Sequence, residues 1–243
     1  MRTRITRMDR EENSDYQSWL FALRATAELL LQSNNEDQSV YANVGAPDEW
    51  KGNAFTLWCG SSPRDWEPTL RIGDMEALWV WDGRIDFHSP EAQRVWAELW
   101  PEAAREPLQA TVGLLAAHAG LKLSEEWSGA PKARFACWAR IFTAVVDCLP
   151  LLSSLQQWAL LTSFHGGWGT YYLHFVPLTA GTEFALSEEG HLALLPTGLD
   201  EDLRSFNIRS FIEDGLPREA VVAQLLPRLQ RCVKAAGRLQ GSE

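Results

Sequence analysis

Lysine is scarce in this chain, and the sequence lacks the segments that usually bind nucleotides. Only 4 Lys stand beside 18 Arg among the 243 residues, and neither Gly-x-x-x-x-Gly-Lys-Ser/Thr nor Gly-x-Gly-x-x-Gly occurs. Such segments hold phosphate groups with backbone N–H groups, and the first of them also uses its lysine. Their absence argues against the common nucleotide-dependent enzymes, and we predict no cofactor.

Cysteines are few and widely spaced. Cys59, Cys137, Cys148 and Cys232 form no Cys-x-x-Cys pair, and the five histidines show no metal-ligand spacing. Zinc sites and disulfide frameworks both depend on such clustering. We therefore predict no metal site and expect the cysteines to be buried, reduced thiols.

Long apolar runs are also missing. No stretch approaches the roughly 18 consecutive apolar residues of a membrane span, and the arginine-rich N-terminus lacks the apolar region of a signal peptide. These features predict a cytoplasmic protein that does not enter a membrane.

Charge is abundant but uneven, with a formal net charge of -10. Residues 34–102 contain 13 acids and 5 bases, and residues 183–214 contain 8 acids and 2 bases. Acidic surfaces repel a phosphate backbone and attract basic partners. Nucleic-acid binding is therefore disfavoured, and a protein partner with a basic surface is favoured.

Helical and β-prone segments alternate along the chain. Apolar residues recur at helical spacing over 14–32, about 90–100, 103–119, 131–149, 151–163, 200–213 and from 216 onward, with Pro150 separating two of these helices. Short strands are predicted near 39–44, 53–59, 77–81, 84–88, 169–176, 183–186 and 191–195. The fold class predicted is α+β, with antiparallel hairpins and small sheets packed against about six helices.

The order helix, strand, hairpin, helix occurs over residues 14–100 and again over about 132–236. This repetition suggests two similar lobes, 13–125 and 126–243, after an N-terminal tail of residues 1–12. One continuous domain is the alternative.

The clearest local signal is Asp82-Gly83 between two β-prone runs. A two-residue Asp-Gly turn fixes the hairpin register, because it needs positive φ at both positions. Alternation then places Leu78, Val80, Ile85 and Phe87 on one face, and Trp79, Trp81, Arg84, Asp86 and His88 on the other. The second face is either covered by another layer or presented to a partner, for which we predict Trp79 and Trp81 as anchors.

The most enzyme-like stretch lies between residues 163 and 174. Glycines beside a histidine let a backbone approach a ligand and place a general base near it. The candidate pocket residues are His165, Trp168, Tyr172 and His174. The alternative is that these residues only connect a helix to a strand. No nucleophile or acid partner is evident from the sequence.

These observations favour a non-catalytic acidic protein that binds another protein. An inhibitor of a basic partner, such as an immunity protein that neutralises a bacterial toxin, is the narrower prediction. One alternative is an enzyme or small-ligand-binding protein with its pocket near residues 165–174. Another is a self-assembling structural subunit, which would form homo-oligomers.

Overall fold

Five helices and nine strands occupy the residues that the computed structural model describes, which are 20, 23–34, 40–44, 55–59, 68–72, 78–81, 84–87, 107–124, 127, 129–131, 134–152, 158–165, 170–177, 183–194, 203 and 205–238. The helices are α1 (23–33), α2 (Pro107–Ala119), α3 (Arg134–Leu152), α4 (Ile208–Glu213) and α5 (Arg218–Arg238). The α+β class is confirmed, with five helices in the described part of the chain where about six were predicted. The helix predicted over about 90–100 lies outside the described residues.

The strands form three antiparallel sheets. The first contains β1 (Val40–Val44), β2 (Phe55–Cys59) and β3 (Pro68–Ile72), and the second contains β4 (Leu78–Trp81) and β5 (Arg84–Phe87). The third is a meander of β6 (Trp158–His165), β7 (Thr170–Pro177), β8 (Phe184–Ser187) and β9 (Leu192–Leu194). Strand β3 was not predicted; it begins at Pro68, a strand position where a missing N–H is tolerated.

The predicted helix over 151–163 is wrong. Helix α3 continues through Pro150 to Leu152, and residues 158–165 are a strand. Pro150 lies in the last turn of α3, where its missing N–H removes one i→i−4 hydrogen bond and the helix ends two residues later. A short apolar run suits a buried helix or a buried strand equally, and here pairing with β7 makes it a strand.

Helix α3 lies at the centre of the core. Residues 137–146 are all buried, and α3 contacts α4, α5 and β1. Among the described helices it is the one long and apolar enough to cross a membrane, but 72% of its most apolar window is buried inside the protein. A core helix has the same composition, because both environments exclude water.

One face of the third sheet covers α3 with aromatic side chains. Tyr171 stacks on Trp138 of α3 with ring centroids 6.0 Å apart, and Phe175 stacks on Phe184 at 4.4 Å. These buried residues belong to a single apolar cluster that also includes Leu23 and Val40. Segments from both predicted lobes therefore share one core.

Asn34 joins α1 to the first sheet. Its side-chain amide donates to the carbonyl oxygens of Leu30 and Val40, at 2.8 and 2.9 Å. Its oxygen accepts from the N–H of Val40 at 2.8 Å. One buried side chain thus forms hydrogen bonds with backbone groups at the end of α1 and at the start of β1. These bonds fix the direction in which the chain leaves α1.

The strands predicted near 183–186 and 191–195 are confirmed as the hairpin of β8 and β9, and its turn is tied to α4. Gly190 adopts φ +90°, and its carbonyl accepts from Ile208 N at 3.0 Å. Asn207 caps α4 by accepting from the N–H groups of Arg209 and Ser210. The buried Glu188 of the same turn is paired with Arg134 at the start of α3. This turn therefore connects the third sheet with two helices.

Candidate functional site

The β4–β5 hairpin has the register that the sequence predicts. Leu78 lies opposite Phe87, Trp79 opposite Asp86, Val80 opposite Ile85, and Trp81 opposite Arg84. Positions 79, 81, 84 and 86 therefore share one face of the hairpin. The side chains of this hairpin, and His88 altogether, lie outside the described residues, so exposure of the face stays a prediction.

Two of the four predicted pocket residues lie together on the third sheet. Tyr172 and His174 are both on β7, two residues apart and on the same face, with ring centroids 6.3 Å apart. His165 is the last residue of β6, opposite Thr170, and its side chain is not described. Trp168 lies outside the described residues.

A serine and a glutamate join His174 on that face. Ser163 Oγ lies 2.7 Å from His174 Nε2, within hydrogen-bond distance. Glu183 Oε1 lies 3.9 Å from His174 Nδ1 on the other side of the ring. Nε2 accepts the hydroxyl hydrogen of Ser163 in the tautomer that carries its proton on Nδ1, the ring nitrogen that faces Glu183.

Strand pairing explains how these three residues meet. Ser163 is directly opposite Tyr172, and His174 is directly opposite Leu161, so Ser163 and His174 are diagonal neighbours on one face. Glu183 immediately precedes β8, the next strand of the meander. The group is partly open to solvent, with side-chain exposures of 21% for His174 and 44% for Glu183.

Sequence reasoning identified His174 but missed Ser163 and Glu183. The sequence pattern predicts a helix that ends at residue 163, where the side chain would not face β7. The sequence holds little signal for this arrangement, because apolar Leu161 and polar Thr162 interrupt a simple alternation of polar and apolar residues over 158–165.

A second charged group joins three helices. Arg218 of α5 donates from Nε and Nη2 to both carboxylate oxygens of Asp147 on α3, at 2.7 and 2.9 Å. Its Nη2 also lies 2.6 Å from Oε1 of Glu28 on α1. Burial alone would lower the pKa of Arg218, but the hydrogen bonds to Asp147 and Glu28 outweigh it and raise the pKa above its ordinary value.

A groove of about 470 Å³ opens beside this ion-pair group. Leu151, which is 55% exposed, and Val222 contribute to its apolar wall, and Arg24 lies at its edge. The sequence did not predict it, because its walls come from helices that are far apart in the chain.

Some acids of residues 183–214 are neutralised locally. Glu188 is paired with Arg134, and Glu213 is paired with Arg209 at 2.6 Å. Glu189 and Asp214 are exposed, and neither forms an ion pair with another described residue. Part of the negative charge in this segment therefore lies on the solvent-exposed surface.

Metal ligation finds no support in the described residues, which hold no group of three or more His, Cys, Asp or Glu side chains suited to a metal ion. Three cysteines are buried, as predicted: Cys137, Cys148 and Cys232. Cys59 lies on β2, and its side chain is not described.

Native thiols are expected to resist alkylation. Burial raises the pKa of Cys137 to about 11 and that of Cys148 to about 12. At pH 8 about one thiol in a thousand or fewer would be ionised at these positions, so attack on iodoacetamide should be very slow. In a Cys59→Ser variant, mass spectrometry should detect almost no alkylation in buffer and three alkylated cysteines in urea. Fast alkylation of the folded variant would contradict this assignment.

The comparisons with known proteins identify no relative. No family model, no curated protein and no solved structure matches the chain.

Proposed function

We propose that the chain is an acidic protein whose main role is to bind another protein with a basic surface. The observation that carries the proposal is the register of the β4–β5 hairpin, which groups positions 79, 81, 84 and 86 on one face. Two tryptophans, an arginine and an aspartate there combine the residue types that dominate binding energy at protein interfaces with a charge that orients the partner.

Charge supports the same proposal independently. The net charge of -10 is concentrated in two segments, one of which, residues 34–102, contains the hairpin. Exposed Glu189 and Asp214 add negative charge from the second segment. A negative field accelerates encounters with a basic protein and weakens as salt screens it.

Binding is tested by capture from the producing cells, followed by affinity measurement with the purified partner. We expect Trp79→Ala to lower affinity tenfold or more, a loss of about 1.4 kcal/mol or greater, because an aromatic anchor is removed. Raising the salt concentration should weaken binding by the wild type as well. Calorimetry measures both effects.

A matched arginine pair separates binding from folding. Arg84 lies on β5 within the proposed face, whereas Arg71 lies on β3 in another sheet. Arg84→Ala should weaken capture, while Arg71→Ala should retain it, with similar melting temperatures for both variants. Equal capture by Trp79→Ala, Arg84→Ala and wild type would reject the hairpin as the binding surface, and an acidic partner would reject the charge argument.

Within this class we propose an inhibitor, such as an immunity protein that neutralises a basic bacterial toxin. The charge and the hairpin suit such a role, since an inhibitor needs affinity and no chemistry of its own. The captured partner should then have an enzymatic or toxic activity that stoichiometric addition of this chain abolishes. A partner whose activity is unchanged in the complex would leave binding standing and reject inhibition.

A further inference from the structure

We propose that Ser163 is a nucleophile activated by His174. Its substrates are esters with a small, uncharged, apolar acyl group, which is transferred to Ser163 on this face of the third sheet. The proposal is independent of the protein-binding role and uses a different surface. Its basis is the hydrogen bond of 2.7 Å between Ser163 Oγ and His174 Nε2, with Glu183 Oε1 3.9 Å from Nδ1 of the same ring. A nucleophile, a base and a nearby carboxylate in this order are the groups that serve acyl transfer in catalytic triads.

The chemical step follows from these positions. Ser163 Oγ bonds to the carbonyl carbon of the ester, and its proton passes to Nε2 of His174. The bond from that carbon to the alkoxy or aryloxy oxygen then breaks, its electron pair stays on the leaving oxygen, and Nε2 returns the proton to it. A water molecule can then attack the carbonyl carbon of the acyl-serine while His174 Nε2 takes its proton. The acyl group leaves as the free carboxylic acid, and Ser163 recovers its hydroxyl hydrogen. Glu183 stabilises the imidazolium that forms between the two proton transfers.

The surroundings select the acyl group. Leu161, Tyr172 and Val176 lie on the same sheet face and are half-buried, so they offer a small apolar surface. The Glu183 carboxylate and the negative charge of the whole chain disfavour an anionic acyl donor. A neutral, short aliphatic ester is therefore the substrate class that fits.

The position of Ser163 in the middle of a strand limits the rate. The backbone groups of β6 that face β7 are used in the sheet ladder and cannot donate to an oxyanion. Oxyanion donors contribute about 10²–10³ each to the rates of serine hydrolases. We therefore expect stoichiometric acylation with slow release of the acyl group, and the acylated protein should be observable.

The experiment incubates the intact protein with p-nitrophenyl acetate and with a fluorophosphonate, and follows adduct formation by mass spectrometry and peptide mapping. One adduct per chain is expected, on Ser163. Ser163→Ala should abolish it, and His174→Gln should slow it by about 100-fold or more, since general-base catalysis contributes about 10²–10⁴. Ser210→Ala, which removes an exposed hydroxyl that donates to a backbone carbonyl, should leave the rate unchanged.

Glu183 is a positioning residue, and its role is tested by conservative replacement. Glu183→Gln should slow acylation about tenfold, and Glu183→Asp should recover part of the rate because it restores the charge. Near-UV circular dichroism checks that each variant is folded. Adducts at other residues, unchanged labelling of Ser163→Ala, or an unchanged rate in folded His174→Gln would each overturn the proposal. None of these results bears on partner capture by the hairpin.

Discussion

Replacement of Arg218 by Met is expected to lower the free energy of unfolding by about 3 kcal/mol, because it leaves two carboxylates without their cation. Glu28 is almost fully buried, with a side-chain exposure of 7%, and Asp147 has 22%. A carboxylate that loses both water and its partner must either remain charged at high cost or take up a proton. Urea unfolding followed by circular dichroism measures the loss.

Arg209→Met is the matched control for this experiment. Arg209 and Glu213 also form an ion pair, at 2.6 Å, but on the surface of one short helix and with exposures of 34% and 51%. Such pairs contribute about 0.5 kcal/mol or less. Adding Glu28→Gln to Arg218→Met should restore part of the lost stability, since the uncompensated charge is then removed. Equal losses for Arg218→Met and Arg209→Met would contradict the structural role of Arg218.

The contribution of Arg218 should also be insensitive to pH in the alkaline direction. Its pKa is raised in the folded protein, so its stabilising charge is fully present below the pKa of an unfolded arginine. That contribution is lost only as pH rises through the still higher pKa of the folded state. Stability lost between pH 7 and 10 must therefore come from other groups.

Gly190→Ala is expected to cost about 3 kcal/mol, because the position combines positive φ with a close approach of other atoms. A Cβ atom there would lie 2.4 Å from Asn207 Oδ1 and 2.5 Å from Arg209 N, both held in the cap of α4. The turn and the cap would have to separate. Thermal and urea unfolding measure the change.

Gly120→Ala provides the comparison, since Gly120 has φ +67° but no described atom lies within 4 Å of the position that an added Cβ would take. Backbone strain alone should cost about 1–2 kcal/mol at that site. The difference between the two variants isolates the contact between the turn and α4. If both substitutions lower the free energy of unfolding equally, the close contact between Gly190 and the cap of α4 does not contribute to stability.

Elements with strong local signals could be predicted from the sequence. The Asp82-Gly83 turn determines its own hairpin, because two residues specify both the bend and the register. The turn ending at Gly190 and the last helix follow from similarly local patterns. For residues 158–165, the local pattern suits two structures, and only pairing with β7 decides between them.

The functional groups could be predicted only in part for the same reason. His174 was recognised, but its partners depend on the register of β6 with β7 and on the chain entering β8 at Glu183. The ion-pair group around Arg218 depends on three helices that meet only in the folded chain. Spacing along the sequence contains no information about either arrangement.

The bond between Arg218 and Glu28 also has a consequence for synthesis. Glu28 leaves the ribosome well before Arg218, which follows 190 residues later in the sequence. The apolar side of α1 packs into a core that includes residues of α3 and α5, so it stays uncovered until those helices have been made. Chains interrupted before α5 would expose both an unpaired carboxylate and apolar surface, the features that lead nascent proteins to chaperones or to aggregation.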